Sequence, residues 1–103
     1  MGIPETDWKT FKRLRLVALD RFSQRVVDEC QAICTDKALT AHERYLKLYE
    51  RVQKRNEEMA PAFDDFRRST ALLCLRLMVS DGLLTEQETS EFSSEVQRAV
   101  SAQ

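Results

Sequence analysis

Between Pro4 and Pro61 the sequence contains neither glycine nor proline. Proline interrupts a helix by removing an amide and glycine by its backbone entropy, so more than half of the chain is free to be helical. The whole chain of 103 residues holds two of each, with 43% hydrophobic and 32% charged residues, a composition that suits a soluble all-α protein. One domain over residues 1–103 is expected, of a size that packs to a radius of gyration near ~13 Å.

Caps and breakers divide the chain into four helices. The first runs over about 7–34: Thr6 or Asp7 can accept hydrogen bonds from unpaired first-turn amides, and Thr35-Asp36-Lys37 ends it. Its apolar positions, Trp8, Phe11, Ala18, Leu19, Phe22, Val26, Cys30 and Ile33, fall within half the circumference at a 3.6-residue period. Thr40-Ala41-His42-Glu43 has the reciprocal capping pattern and opens a second helix, 41–59, with a stripe of Tyr45, Leu48, Tyr49, Val52 and Met59 and Asn56 on the same line. Pro61 ends that helix and suits the first turn of a third, 62–80. From Ala71 to Val79 the third helix is apolar on nearly every side and belongs at the centre of a bundle. Asp81-Gly82 stops it, and a second capping pattern, Thr85-Glu86-Gln87-Glu88, opens a fourth, 86–100, whose Ser-rich middle makes it the least stable. The expected architecture is a four-helix bundle-like array.

At 1.5 Å per residue the first helix would be roughly ~40 Å long, more than a single ~100-residue globule covers. With the large aromatics Trp8 and Phe11 at its far end, a homodimer that covers the overhang is expected.

Sixteen basic residues against seventeen acidic ones leave a formal charge of -1, so no global field draws the chain to nucleic acid or anionic lipid. The first quarter is nevertheless locally basic and aromatic, and Lys9, Lys12, Arg13 and Arg21 are the candidates for phosphate contacts. Lys9 and Arg13 border one side of the apolar stripe, and Arg21 and Arg25 the other. That is the pattern of a packed amphipathic helix whose cationic stems cover apolar surface. The acids of the last quarter, Asp81, Glu86, Glu88, Glu91 and Glu95, are available partners.

Motifs for chemistry are sparse. The chain has no Gly-rich phosphate loop, no nucleophile elbow and no histidine metal pattern, so no catalytic residue is assigned. Cys30, Cys34, Cys74 and His42 match zinc in number only, because a helical C-x3-C lacks knuckle spacing. They read as buried reduced thiols and a helix-start histidine, and no metal or cofactor is expected. Asp81 to Glu88 looks like half of a calcium loop, but Leu77 and Val79 stand where oxygen ligands are required. Met1-Gly2-Ile3-Pro4-Glu5-Thr6 fits the short myristoylation pattern, which chance supplies often. With no secretory segment and no apolar run near ~20 residues, a cytoplasmic protein without membrane contact is expected.

Arg15 lies on the apolar stripe of the first helix and Arg76 within the central apolar run, and each needs a counter-charge or a carbonyl. Asp64 and Asp65 are spaced to pair with Arg68 on a helix. A groove where Arg15, Arg76 and Asp65 meet Tyr45 or Tyr49 is the candidate ligand or partner site, with His42 at the border of the tyrosine face.

The stretches "TAHERYLKLYERVQKRNEEMAPAFDDFRRSTA" and "DWKTFKRLRLVALDRF" resemble segments of short uncharacterised bacterial all-α proteins. Those share a Ser/Thr-Ala-His-Glu-Arg-Tyr start and a Phe-Asp-Asp-x-Arg-Arg-Ser segment. The resemblance covers most of the chain, carries over no activity or site, and implies a bacterial cytoplasmic origin. Sequence therefore points to a non-enzymatic protein-interaction or regulatory module. It would work through the start of the second helix, the Asp64 to Arg68 segment and the basic half of the first helix. A nucleic-acid-associated protein is the second reading. A small enzyme or ligand binder with a groove near Arg76 and His42 is the third.

Overall fold

The computed structural model describes residues 2–101; Met1 of the acylation-like start lies outside them, as do Ala102 and Gln103. The described residues form five α-helices and no strand: α1 Glu5–Cys34, α2 Ala41–Phe63, α3 Ala71–Ser80, α4 Glu86–Thr89 and α5 Ser94–Ser101, with a 3-10 turn at Arg68–Thr70 before α3. The chain is all-α, and its breaker-free stretch forms the two long helices α1 and α2.

Both capping patterns form. The Thr40 hydroxyl accepts from the Glu43 amide at 3.1 Å and the Glu43 carboxylate accepts from the Thr40 amide at 2.8 Å. Thr85 and Glu88 repeat this at 3.1 and 2.9 Å. Gly82 closes α3 with a φ of 69°, the left-handed conformation that a residue without a Cβ adopts freely.

Three boundaries differ from the sequence reading, each for a local reason. Pro61 does not open a helix; it lies inside the last turn of α2, which continues to Phe63. The chain then leaves helical geometry. Arg67 is extended, at φ -136° and ψ 149°, and the Thr70 hydroxyl donates to the carbonyls of Asp65 and Arg67, so α3 is shortened to Ala71–Ser80. The expected fourth helix breaks in two at its serines: Ser90 donates its hydroxyl back to the Gln87 carbonyl, and Ser93 starts α5. Side chains that offer the backbone alternative partners end helices in this way.

The helices are arranged as a head and an arm. The head gathers Phe11, Leu14, Ala18 and Phe22 of α1 around Leu75 and Met78 of α3, and it is closed by Phe63, Leu83, Phe92 and Val96. Ala71, Cys74, Leu75 and Met78 of the expected third helix are buried at the centre of the head, whereas Leu73 is 58% exposed, so the stretch is covered on one side and not all round. Beyond Phe22 along the α1–α2 hairpin, Ile33 is the one buried apolar side chain among the described residues before Ala62. From about Ser23 on α1 and Met59 on α2, the two helices therefore project as an antiparallel pair. The molecule measures 52 × 24 × 24 Å, with a radius of gyration of 16.6 Å against the ~13 Å of a compact chain of this length.

An overhang was expected, but at the other end. Phe11 is buried, and Trp8 stacks on Phe11 and Phe66 at centroid distances of 5.7 and 5.3 Å, so the aromatics at the start of α1 are covered within the chain.

Candidate functional site

The first question is which of the polar side chains are already used in holding the fold. Most cations of α1 are. Arg21 forms a two-pronged ion pair with Glu88 at 2.6 and 2.9 Å and donates to the Leu83 carbonyl at 2.9 Å. Arg25 donates to the carbonyls of Asp81 and Gly82, and Arg13 pairs with Glu91. Together these three arginines strap the segment after α3 onto α1. Lys12 lies over the Trp8 ring at 5.6 Å, and Lys9 is exposed. Glu88 accepts from Arg21 first and from the Thr85 amide second, which holds its carboxyl down to about 2. Arg21 is correspondingly raised.

Arg15 is likewise engaged. It donates to the Phe63 carbonyl at 2.5 Å, and its guanidinium sits 4.5 Å from the Phe66 centroid and 5.9 Å from that of Phe63. The expected pairing of Asp64 and Asp65 with Arg68 does not occur, because residues 64–67 are not helical. Asp65 instead holds Arg67 at 2.6 and 2.8 Å, which lowers its pKa, and Asp64 is exposed at the end of α2. Arg68 reaches back to the start of the chain, donating to the Ile3 carbonyl and to Glu5, each at 2.7 Å. Arg76 is exposed on α3 rather than enclosed by apolar neighbours.

The expected groove is therefore not assembled. His42, Tyr45 and Tyr49 are in the first turns of α2, at the tip of the arm, whereas Asp65 follows its last turn. At 1.5 Å per residue, about 25 to 30 Å of helix separates them. The same length separates His42 from the head that carries Arg76. The thiols are divided similarly: Cys74 is buried in the head, where burial raises its pKa, while Cys30 and Cys34 belong to the arm. Cys34 is exposed, against the expectation of a buried thiol.

What the structure does bring together is the arm itself. The face of α2 turned to α1 is not the tyrosine stripe but Leu48, Arg51, Arg55 and Met59. Arg51 and Arg55 both pair with Glu29 of α1, whose carboxyl is held at about 2, chiefly by the hydrogen bond from Arg55. Arg55 also lies 6.0 Å from the Phe22 centroid. At the tip, Arg44 donates to the Cys34 carbonyl at 2.9 Å and so satisfies the end of α1.

Because cationic stems fill the seam, the apolar row beside it is left open to water. Tyr45 is 65% exposed and Tyr49 58%, and Leu46 and Val52 are exposed with them. The His42 and Tyr45 rings lie 6.3 Å apart, and the Tyr49 hydroxyl accepts from Gln53. Cys34, Ala41, Arg44, Tyr45 and Leu48 line one shallow depression between the two helices, which places the tyrosine row beside the exposed side of α1. Val27, 56% exposed, lies on that side of α1, two turns before Cys34.

A second concavity, of about 380 Å³, lies in the head between α3 and α5, lined by Leu75, Val79, Phe92, Val96 and Val100 with Glu86 and Gln97 among the residues around it. None of the candidate site residues named from the sequence lines it. Neither Thr6 nor Asp7 caps α1 as the sequence suggests, since the helix starts at Glu5 with no side-chain cap; Asp7, only 3% exposed, instead accepts from the Ser93 amide at 2.8 Å and from the Ser93 hydroxyl at 2.7 Å. Its carboxylate serves the start of α5, not of its own helix. Among the described residues, no helix is long and apolar enough to cross a membrane. Compared with protein-family models, curated proteins and solved structures, the chain matches none.

Proposed function

We propose that the chain is a non-enzymatic protein-interaction module that works through the exposed face of the α1–α2 arm. The observation that supports this reading most is the row of Tyr45, Tyr49 and Val52 left open beside an arginine-filled seam. Large apolar side chains clustered on one exposed surface mark association sites, and tyrosine supplies much contact area at little entropic cost. The head anchors the arm, and its own polar side chains are largely committed to internal bonds. Relative to the surface expected from sequence, the start of α2 is retained, whereas the Asp64 to Arg68 segment and the basic half of α1 serve structure. The nucleic-acid reading loses support in the same way, since Arg13 and Arg21 have carboxylate partners.

The test is capture of partners from a bacterial lysate by immobilised protein, comparing the native chain with Tyr45→Glu/Val52→Glu. Both positions are exposed, so the variant keeps its helicity by circular dichroism. Loss of the captured species with folding intact is the expected result. Identical capture by both proteins would refute the assignment to the arm.

A further inference from the structure

The arm's exposed face has a register that the seam does not explain. On α1 the positions Ser23, Val27, Cys30 and Cys34 follow one another in steps of four, three and four. On α2 Tyr45, Tyr49, Val52 and Asn56 do the same. Steps of three and four keep each set on one side of its helix, and this is the spacing by which a helix packs along a second helix. In an antiparallel pair both rows lie on the same side of the arm, in accord with the depression shared by Cys34, Tyr45 and Leu48. None of these eight residues is an aspartate, glutamate, lysine or arginine, although 32% of the chain is. The charged positions of the arm, such as Asp28, Lys47, Glu50 and Lys54, fall on its other sides.

We infer that this face binds the same face of a second copy of the chain, two arms forming an antiparallel four-helix bundle with the heads at opposite ends. The inference rests on the arm being the working surface and names its occupant. A face without ionised side chains is complementary to itself and gives a charged partner nothing to pair with. Each row runs over about 17 Å of helix at 1.5 Å per residue, so two helices each about 10 Å across offer a footprint of about 350 Å² in projection, below the roughly 800 Å² per partner of a stable interface and of the size of a weak, reversible dimer. Two-fold pairing sets the same patch against itself, the commonest arrangement of soluble oligomers. The one amide in the rows, Asn56, plays the part that a polar seam residue plays in coiled coils, fixing register.

The experiment is sedimentation equilibrium on the purified full chain from about 1 to about 100 µM, a range over which a dimer of ordinary affinity changes population. The expected result is a mass rising to twice the 12.0 kDa of one chain. Val27→Glu/Tyr49→Glu should remain at the single-chain mass throughout, while Leu73→Glu, an exposed apolar position of the head, should associate as the native chain does. A native chain at single mass over the whole range overturns the inference, as does a dimer that survives the double substitution or is lost in the head variant. These failures are separable from failure of the interaction reading. A monomeric chain that still captures a protein through Tyr45 and Val52 refutes self-pairing alone, whereas a chain that neither associates nor captures refutes both.

Discussion

Replacing Asp7 with alanine should detach the C-terminal helix from the start of the first. The carboxylate accepts two hydrogen bonds from Ser93, and both cross 86 residues of sequence. Hydrogen bonds to a carboxylate contribute about 1.5–3 kcal/mol each. Ser93 is exposed to water on its other side, so the lower figure applies, and Asp7→Ala should cost about 3 kcal/mol. Ser93→Ala removes only the hydroxyl bond and should cost about half of that. The double variant should be no less stable than Asp7→Ala alone, because the serine hydroxyl has lost its acceptor already. In a chain of this length each 1 kcal/mol moves the midpoint by about 4–8 °C, so the Asp7 variant should melt about 12–24 °C lower. Urea unfolding followed by circular dichroism gives the three energies, and amide exchange in α5 locates the loss. A cost below about 1 kcal/mol, or additive effects of the two substitutions, would refute the reasoning.

Three further outcomes follow from the geometry. Glu29 and Glu88 have folded pKa values of about 2, below the ordinary value of 4.5, so the stability that they contribute is present above pH 4.5 and is lost as pH falls towards 2. Thermal melts between pH 7 and pH 2.5 should show this decline, and Glu29→Gln should flatten part of it. Thr40→Ala removes half of a reciprocal cap and should cost about 1 kcal/mol, seen in urea unfolding and as faster amide exchange at the arm tip. Gly82→Ala should cost about 1 kcal/mol from backbone conformation rather than from a clash, since an added Cβ meets only the Arg25 guanidinium at an ordinary 3.7 Å; equal stability of the two proteins would count against this.

Features governed by neighbours in sequence were legible in it. The two capping patterns, the stop at Gly82 and the core stripe of α1 from Phe11 to Phe22 all depend on spacing within a few turns, and all are present. The exposed face of α2 was not. Periodicity reads arginine as a solvent residue, so Tyr45, Tyr49 and Val52 read as the apolar stripe of the second helix, with the two tyrosines facing a groove, rather than as an open row beside an arginine-filled seam. In the fold Arg51 and Arg55 turn inward because Glu29, more than 20 residues earlier, neutralises them and their stems pack beside Phe22. Asp7 escaped for a related reason: beside Thr6 at a helix start it reads as a cap, and its true partner is near the other end of the chain. The candidate groove failed on distance alone, because no sequence pattern states that α2 carries its first turns some 25 Å away from its last.

The concentration of the sealed core at one end makes stability a quantity that varies along the molecule's long axis. Amides near Thr40 can open by fraying of the arm, where Ile33 is the one buried apolar side chain among the described residues between Phe22 and Ala62, whereas amides around Leu75 and Met78 open only when the whole head does. Exchange rates should then fall in order from the tip to the head. A partner gripping the arm would reverse that order at the tip, registering its arrival as slowed exchange far from any residue of the core.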